Sequence, residues 1–386
     1  MKIINPLQTI VDSCIYLYNT LTTTHTEKAK VHAVIQATHL RNLDGIYPTL
    51  TNSKPIPTGT QYTYALPPGI ALKEWIDRKQ YLELYTQGQV EIFPPAGPSL
   101  TLQIHHQTFP DEITFQHDPP VEYIAPIPIG NTPDGNTMYI DLSELPHMLV
   151  GGLPGFGKTS TLKGWTVSLK LSGCEVFVID RKRIDFPSLI PWINVAQTEE
   201  EALALVKTLL EENTKRQDIL LAHNVTKIQD LPPNTLPYMV LIVDEAAAIE
   251  TKDTYEGIDT LARLARATGI SLIIATQKPS AKLWDGTFSN TRDMLAGRIS
   301  FFVADYMMSQ IILGKGTTSA ARLPMKKGRA VTVLGDRERI VQTMFLPPTQ
   351  AESMLRELDH APYYQTIEPV QPKPKPKRGR PKKNGN

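Results

Sequence analysis

Two cysteines, Cys14 and Cys174, are all that 386 residues contain, too few for a disulfide framework or a four-thiolate metal site. Both lie in stretches that read as ordinary helix or strand, and a reducing compartment suits them. Long apolar runs are also missing. No stretch approaches the roughly 18 residues that a bilayer crossing needs. The first 21 residues carry Pro6, Gln8 and Asp12 where a secretion signal keeps an unbroken apolar stretch. The expectation is a cytoplasmic chain, neither secreted nor membrane-spanning by itself. Net charge is almost absent at +1, yet its distribution is uneven. Seven of the 40 Lys and Arg residues follow Glu368, beyond which no acid occurs, leaving 33 basic against 39 acidic residues in the rest. Overall neutrality therefore does not exclude a nucleic-acid partner.

What is present is a soluble, globular composition, 41% hydrophobic and 20% charged, with an excess of proline at 32 residues. That length accommodates a motor-sized domain plus smaller appendages. Residues 1–54 read as an N-terminal helical region: Ile10, Cys14, Tyr18 and Leu21 keep helical spacing, as do Val31, Val34, Ile35 and Thr38. Residues 55–120 read as a small, proline-interrupted, β-rich domain, with the alternating stretches "YTYALPPG", "QVEIFPP" and "LTLQIHH". From residue 121 to 348 apolar strands alternate with helices: "HMLVGG", then a helix over 158–171, "EVFVID", a helix over 199–223, "YMVLIVD" and "ISLIIATQ". Three further strands, "RISFFVA", "RAVTVL" and "RIVQTMF", complete the set. Such alternation predicts an α/β fold with a mostly parallel sheet covered on both faces. Residues 349–386 read as one short helix and a basic tail.

The segment Gly152-Leu153-Pro154-Gly155-Phe156-Gly157-Lys158-Thr159-Ser160 satisfies G-x-x-x-x-G-K-[ST] between a strand and a helix. Glycines there let backbone N–H groups turn inward around phosphates, and the helix start adds unpaired donors and a positive dipole end. Lys158 is expected to reach the β- and γ-phosphates of ATP, and the Thr159 hydroxyl to ligate Mg²⁺. The strand "MVLIVDEAA" then supplies Asp244, expected to hold Mg²⁺ through its water shell, and Glu245, expected to orient the attacking water. Gln277 ends the next strand, where its amide can sense the γ-phosphate.

These residues resemble the FtsK/SpoIIIE family of ring-forming DNA translocases, including related ATPases of conjugative elements, over about residues 57–346. "DLSELPHMLVGGLPGFGKTS" looks like the passage into the family's phosphate loop, and "VFVIDRKRIDF" like its strand ending in Asp-x-Lys, here Asp180 and Lys182. "LARLARATGISLIIATQKPS" is the most specific match, because generic phosphate-loop ATPases lack it. The resemblance implies a RecA-like motor, a homo-hexameric ring around double-stranded DNA, and ATP bound between subunits. Such a site needs a cation from the adjacent subunit, and Arg298 falls where the family has an arginine opening a strand; Arg266 and Arg322 stay open. Three features depart from the family. Amino-terminal membrane helices are absent, Ser309-Gln310 stands where Ser-Arg is common, and no winged-helix domain follows the motor. A membrane or relaxase partner remains compatible with the resemblance.

The tail "PVQPKPKPKRGRPKKNGN" has no apolar residue after Val370, so it cannot bury a core and is expected to be extended and disordered. Its centre, Lys377-Arg378-Gly379-Arg380-Pro381-Lys382, resembles an AT-hook: a flat Arg-Gly-Arg strip fits the narrow minor groove of A·T-rich DNA. The function expected is ATP-driven translocation of double-stranded DNA in plasmid or mobile-element transfer or segregation. Two other readings stand beside it: a secretion-type ATPase moving protein substrates, and a nucleotide-switched DNA-binding or partition protein.

Overall fold

The computed structural model describes residues 26–106, 109–277, 279, 284, 288–335 and 337–358. The expected first helix around Ile10 and Cys14 and the basic tail lie outside the described residues. The strands that read as continuous apolar runs form the centre of a ten-stranded sheet. They are β7 (His147–Gly151), β8 (Glu175–Ile179), β9 (Asn194–Ala196), β10 (Met239–Val243), β11 (Ile270–Thr276) and β12 (Gly297–Phe301). In the order β12-β7-β11-β10-β8-β9 they run parallel to one another. Beyond β12 the sheet continues antiparallel through β13 (Arg329–Leu334), β14 (Arg337–Gln342), β5 (Pro126–Asn131) and β6 (Thr137–Asp141).

Side chains alternate between the two faces, and each face finds its own helices. Met148, Val150, Val240, Ile242 and Ile273 share a core with Leu162, Trp165 and Leu169 of the helix Lys158–Leu171. Leu149, Leu241, Val243, Leu272 and Ile274 share the other with Leu205 and Leu209 of the helix Glu199–Ala222 and Ile258 and Leu261 of the helix Lys252–Leu264. The long helix starts at a capping box: the Thr198 hydroxyl accepts from Glu201 N at 3.2 Å while Glu201 Oε2 accepts from Thr198 N at 3.1 Å.

A second, four-stranded antiparallel sheet, β1 (Thr49–Ile56), β2 (Gly59–Ala65), β4 (Ser99–His105) and β3 (Gln89–Ala96) in that order, makes the small domain. The helix Glu27–Ala37 belongs to it, since Val31, Val34 and Ile35 share one core with Trp75, Leu100, Leu102 and Ile104. The strand β1 also runs across position 54, where composition suggested a boundary. After β2, Pro67-Pro68-Gly69 ends the extended chain, and two short helices follow, Leu72–Ile76 and Lys79–Thr86, which sequence patterning did not place. The two domains meet along β14: Lys79 Nζ lies 3.3 Å from Glu338 Oε1, and Arg339 Nε lies 3.7 Å from Glu91 Oε1.

Candidate nucleotide site

The glycine-rich loop leaves the carboxyl end of β7 and enters the helix Lys158–Leu171, whose bounds coincide with those expected from sequence. Gly152 adopts φ +149°, and a Cβ there would stand 2.6 Å from Phe301 Cβ, so only glycine fits the turn. Gly155 and Gly157 are also at positive φ, +86° and +114°. The loop is braced from outside: the Phe156 ring lies 5.1 Å from that of Phe302, and the Phe156 carbonyl accepts from Gly328 N at 2.8 Å. A cavity of about 400 Å³ opens over the loop, lined by Leu153, Pro154, Gly155, Gly157, Lys158, Thr159 and Ser160 together with Gln277. That volume is within the range of ligand pockets.

Beneath the loop the strand ends bring the expected acids together. Lys158, 3% exposed, donates to Asp244 Oδ1 at 2.7 Å and to the Asp244 carbonyl at 2.6 Å. Asp244 Oδ2 is buried and accepts no hydrogen bond, a cost a buried carboxylate bears only where a partner is supplied. Glu245 spans the gap to β11: Oε1 accepts from the Thr276 hydroxyl at 3.0 Å, and Oε2 from Gln277 N at 3.0 Å. Lys182 stands over both acids, 3.9 Å from Asp244 Oδ2 and 3.7 Å from Glu245 Oε2.

Two more acids join this group, Asp180 of the Asp-x-Lys strand end and Asp185, which no spacing signalled. Asp180, Asp185 and Asp244 each place a carboxylate oxygen within 4.8 Å of the others. The Asp185 carboxyl is pushed up to about 6, by burial first and then by the Asp244 charge beside it. Asp180 has another duty. Its Oδ1 accepts from Lys182 N and Arg183 N, and its Oδ2 from Asp185 N and Phe186 N, so it organises the turn after β8. Asp244 Oδ2 is therefore the ligand atom that suits a divalent ion such as Mg²⁺, with the cavity-lining Thr159 hydroxyl as its natural companion.

Arg298 is not part of this assembly. It pairs in register with Leu149, inside β7 rather than at its phosphate end, and donates from Nε to the Leu295 carbonyl at 3.1 Å and from Nη2 to that of Arg292 at 3.3 Å. Arg322 rests over the Tyr306 ring at 5.3 Å. Ser309 is buried and donates to the Thr317 carbonyl at 2.8 Å, while Gln310, where the family pattern departs, is exposed. The basic run from Lys377 to Lys382 lies outside the described residues.

The cavity's outer wall was not foreseen. It consists of Asp111 and Glu112 from the segment joining the two domains, Lys327 and Gly328 before β13, and Gln342 to Phe345 leaving β14. No local pattern marks these residues, because they converge only through the sheet.

A strand, a glycine loop, a helix whose first lysine meets the acid after a strand two places along the sheet, and a parallel sheet in this order define a P-loop ATPase domain. Residues 121–235 match the FtsK/SpoIIIE family model. It is 28% identical over 285 residues to the DNA translocase FtsK of Staphylococcus epidermidis, an alignment that covers 66% of this chain and only 35% of that protein. The chain thus spans about a third of the length of that relative. Among solved structures, the pCW3 conjugation coupling protein TcpA, in a monomer form with ATPγS, matches with a TM-score of 0.60 at 23% identity, covering 86% of this chain and 99% of that one. The cytoplasmic domain of the type VII secretion ATPase EccC of Thermomonospora curvata matches with a TM-score of 0.54 at 22% identity, covering 67% of this chain and 34% of that one. Both structures show the fold. No helix among the described residues is long and apolar enough to cross a membrane.

Proposed function

We propose that this protein hydrolyses ATP with Mg²⁺ to translocate double-stranded DNA, as a homo-hexameric ring in plasmid or mobile-element DNA transfer or segregation. The observation that carries the reading is the convergence of Lys158, Asp244, Glu245 and Gln277 at one end of the parallel sheet, in a chain whose residues 121–235 match the FtsK/SpoIIIE family model. Bound Mg²⁺ would neutralise charge on the β- and γ-phosphates, with Asp244 and Thr159 holding it. Lys158 exchanges its Asp244 partner for phosphate oxygens, and Glu245 orients water once it releases the Gln277 backbone. Arg298 is the proposed cation acting on a neighbouring subunit, and doing so requires it to leave the Leu295 and Arg292 carbonyls. The strip from Lys377 to Lys382 is the proposed A·T-rich minor-groove contact, and six copies on one ring raise its effective concentration. A membrane or relaxase protein is the proposed partner of such a ring.

The test is ATP turnover by the purified chain with duplex, single-stranded and no DNA, read beside electron micrographs. Duplex-stimulated turnover and rings are expected; a monomer with turnover indifferent to DNA sinks the proposal. Mixing Arg298→Ala and Lys158→Ala chains, each inactive alone, is expected to restore part of the turnover if Arg298 acts across the subunit boundary. The likeness to EccC favours one other reading, a motor for protein substrates. Turnover stimulated by a secreted polypeptide and not by duplex would select it.

A further inference from the structure

The cavity above the phosphate loop is lined by more residues than the phosphate chemistry accounts for. Its inner part carries the loop backbone, Lys158, Thr159 and Gln277. Its outer part carries Phe345, Asp111 and Glu112, none of which serves a phosphate or a metal bound at Asp244. Resting on the ATP reading above, the geometry points to this outer wall as the pocket for the nucleotide's base, with the Phe345 ring as its stacking platform.

Three observations carry this. Phe345 keeps 40% of its surface exposed although its backbone is clamped on both sides: its N–H donates to the Ile113 carbonyl at 2.7 Å, and its carbonyl accepts from Phe115 N at 2.8 Å. A large apolar ring held open on a pinned backbone costs hydration and gains nothing until a flat partner covers it. Met344 beside it also lines the cavity but is buried, so Phe345 is the aromatic side chain that this stretch exposes there. Next, the wall is built as one piece with the phosphate cradle. Gly328 N donates to the Phe156 carbonyl and Thr343 N to the Gly328 carbonyl, each at 2.8 Å. The Gln342 amide donates to the Lys327 carbonyl at 2.9 Å and accepts from Arg329 Nε at 3.0 Å. Gly328 sits at φ +75°, and a Cβ there would meet Gln342 Nε2 at 2.5 Å, so the loop and the strand exit are locked in close approach. The distance from ring to phosphate cradle is thereby fixed, as a site for one elongated ligand requires. Finally, Asp111 and Glu112 bring acceptors to the same wall. Asp111 is oriented by Lys326, and the two offer carboxylate and backbone oxygens to base amino or ribose hydroxyl groups.

The consequence is that the connection between the small domain and the motor is itself part of the nucleotide site. The test separates base from phosphate. Binding of ATPγS and of inorganic tripolyphosphate, each with Mg²⁺, is measured by calorimetry on the full chain, as wild type and as Phe345→Ala and Phe345→Trp. Loss of one stacked base predicts ATPγS binding weaker by roughly 5- to 100-fold in F345A, with tripolyphosphate affinity changed less than about twofold. Phe345→Trp is expected to restore ATPγS affinity, and its fluorescence to change with ATPγS but not with tripolyphosphate. Equal weakening of both ligands in F345A, or wild-type ATPγS binding no tighter than tripolyphosphate, overturns the assignment while leaving the phosphate loop intact. Failure of the wild type to bind either ligand overturns the nucleotide reading itself, and this inference with it.

Discussion

The pair at the heart of the site makes a prediction about stability as well as turnover. Lys158 and Asp244 are 3% and 1% exposed and 2.7 Å apart. Removing one member of such a pair strands the other charge in the interior and costs about 3–5 kcal/mol. Lys182, 3.9 Å from Asp244 Oδ2 but 31% exposed, offsets part of this, which places Lys158→Ala near the lower end, about 3 kcal/mol. For a domain of this size each kcal/mol moves the melting temperature by about 2–4 °C, so the variant should melt roughly 6–12 °C below wild type. Scanning calorimetry on the nucleotide-free chain reads the shift. The double variant Lys158→Met, Asp244→Asn removes both charges and should recover most of the loss, while Lys158→Ala with Lys182→Ala should fall further. ATP turnover should vanish in every variant lacking Lys158. If Lys158→Ala melts within a degree of wild type and the double variant brings no recovery, the buried pair contributes nothing and the reasoning fails.

Other consequences are as direct. Glu245→Gln keeps an oxygen for Gln277 N but loses the charge, so turnover should drop about a hundredfold or more with ATPγS binding retained by calorimetry. Gly152→Ala forces a Cβ to 2.6 Å from that of Phe301 at φ +149°; a loss of about 1–3 kcal/mol by urea titration and weakened nucleotide binding are expected. His147 accepts from Leu272 N at 3.1 Å, and burial lowers its pKa to about 4. Unfolded chain therefore takes up this proton first as pH falls, so stability is full above pH 6.5 and declines by about 3 kcal/mol toward pH 4. His147→Asn, which keeps an acceptor but cannot titrate, should flatten that part of a stability–pH profile.

The site's inner half is readable from sequence because each part is local. A glycine loop between a strand and a helix, and acids closing an apolar strand, carry their meaning within ten residues, and the sheet order does the rest. The outer wall is not local: Gln342 reaches the Asp111 carbonyl across 231 positions of chain, and no periodicity encodes that meeting. Strand β5 was hidden for another reason. Its sequence "PIPIGN" carries Pro126 and Pro128, which cannot donate to a ladder, yet only Asn131 of this strand pairs with β14, so most of one side needs no donors. The helix Lys79–Thr86 escaped because its apolar positions are few; only Leu82 and Thr86 are buried, and tertiary contacts rather than pattern hold it.

One strand reconciles the two domains with the one site. At its start, β14 presents Glu338 to Lys79 and Arg339 to Glu91 and to the Phe93 ring, 5.9 Å away, all in the small domain. At its end, Gln342 clasps the loop that braces Phe156, and the next three residues wall the cavity. Four residues of extended chain span about 13 Å, short and stiff compared with any loop connection. The register fixes this arrangement further, since β13 pairs with β14 from Arg329↔Gln342 to Leu334↔Arg337 and with β12 on its other edge. A shift at the cavity wall thus cannot be absorbed by β14 without breaking ladder bonds on β13.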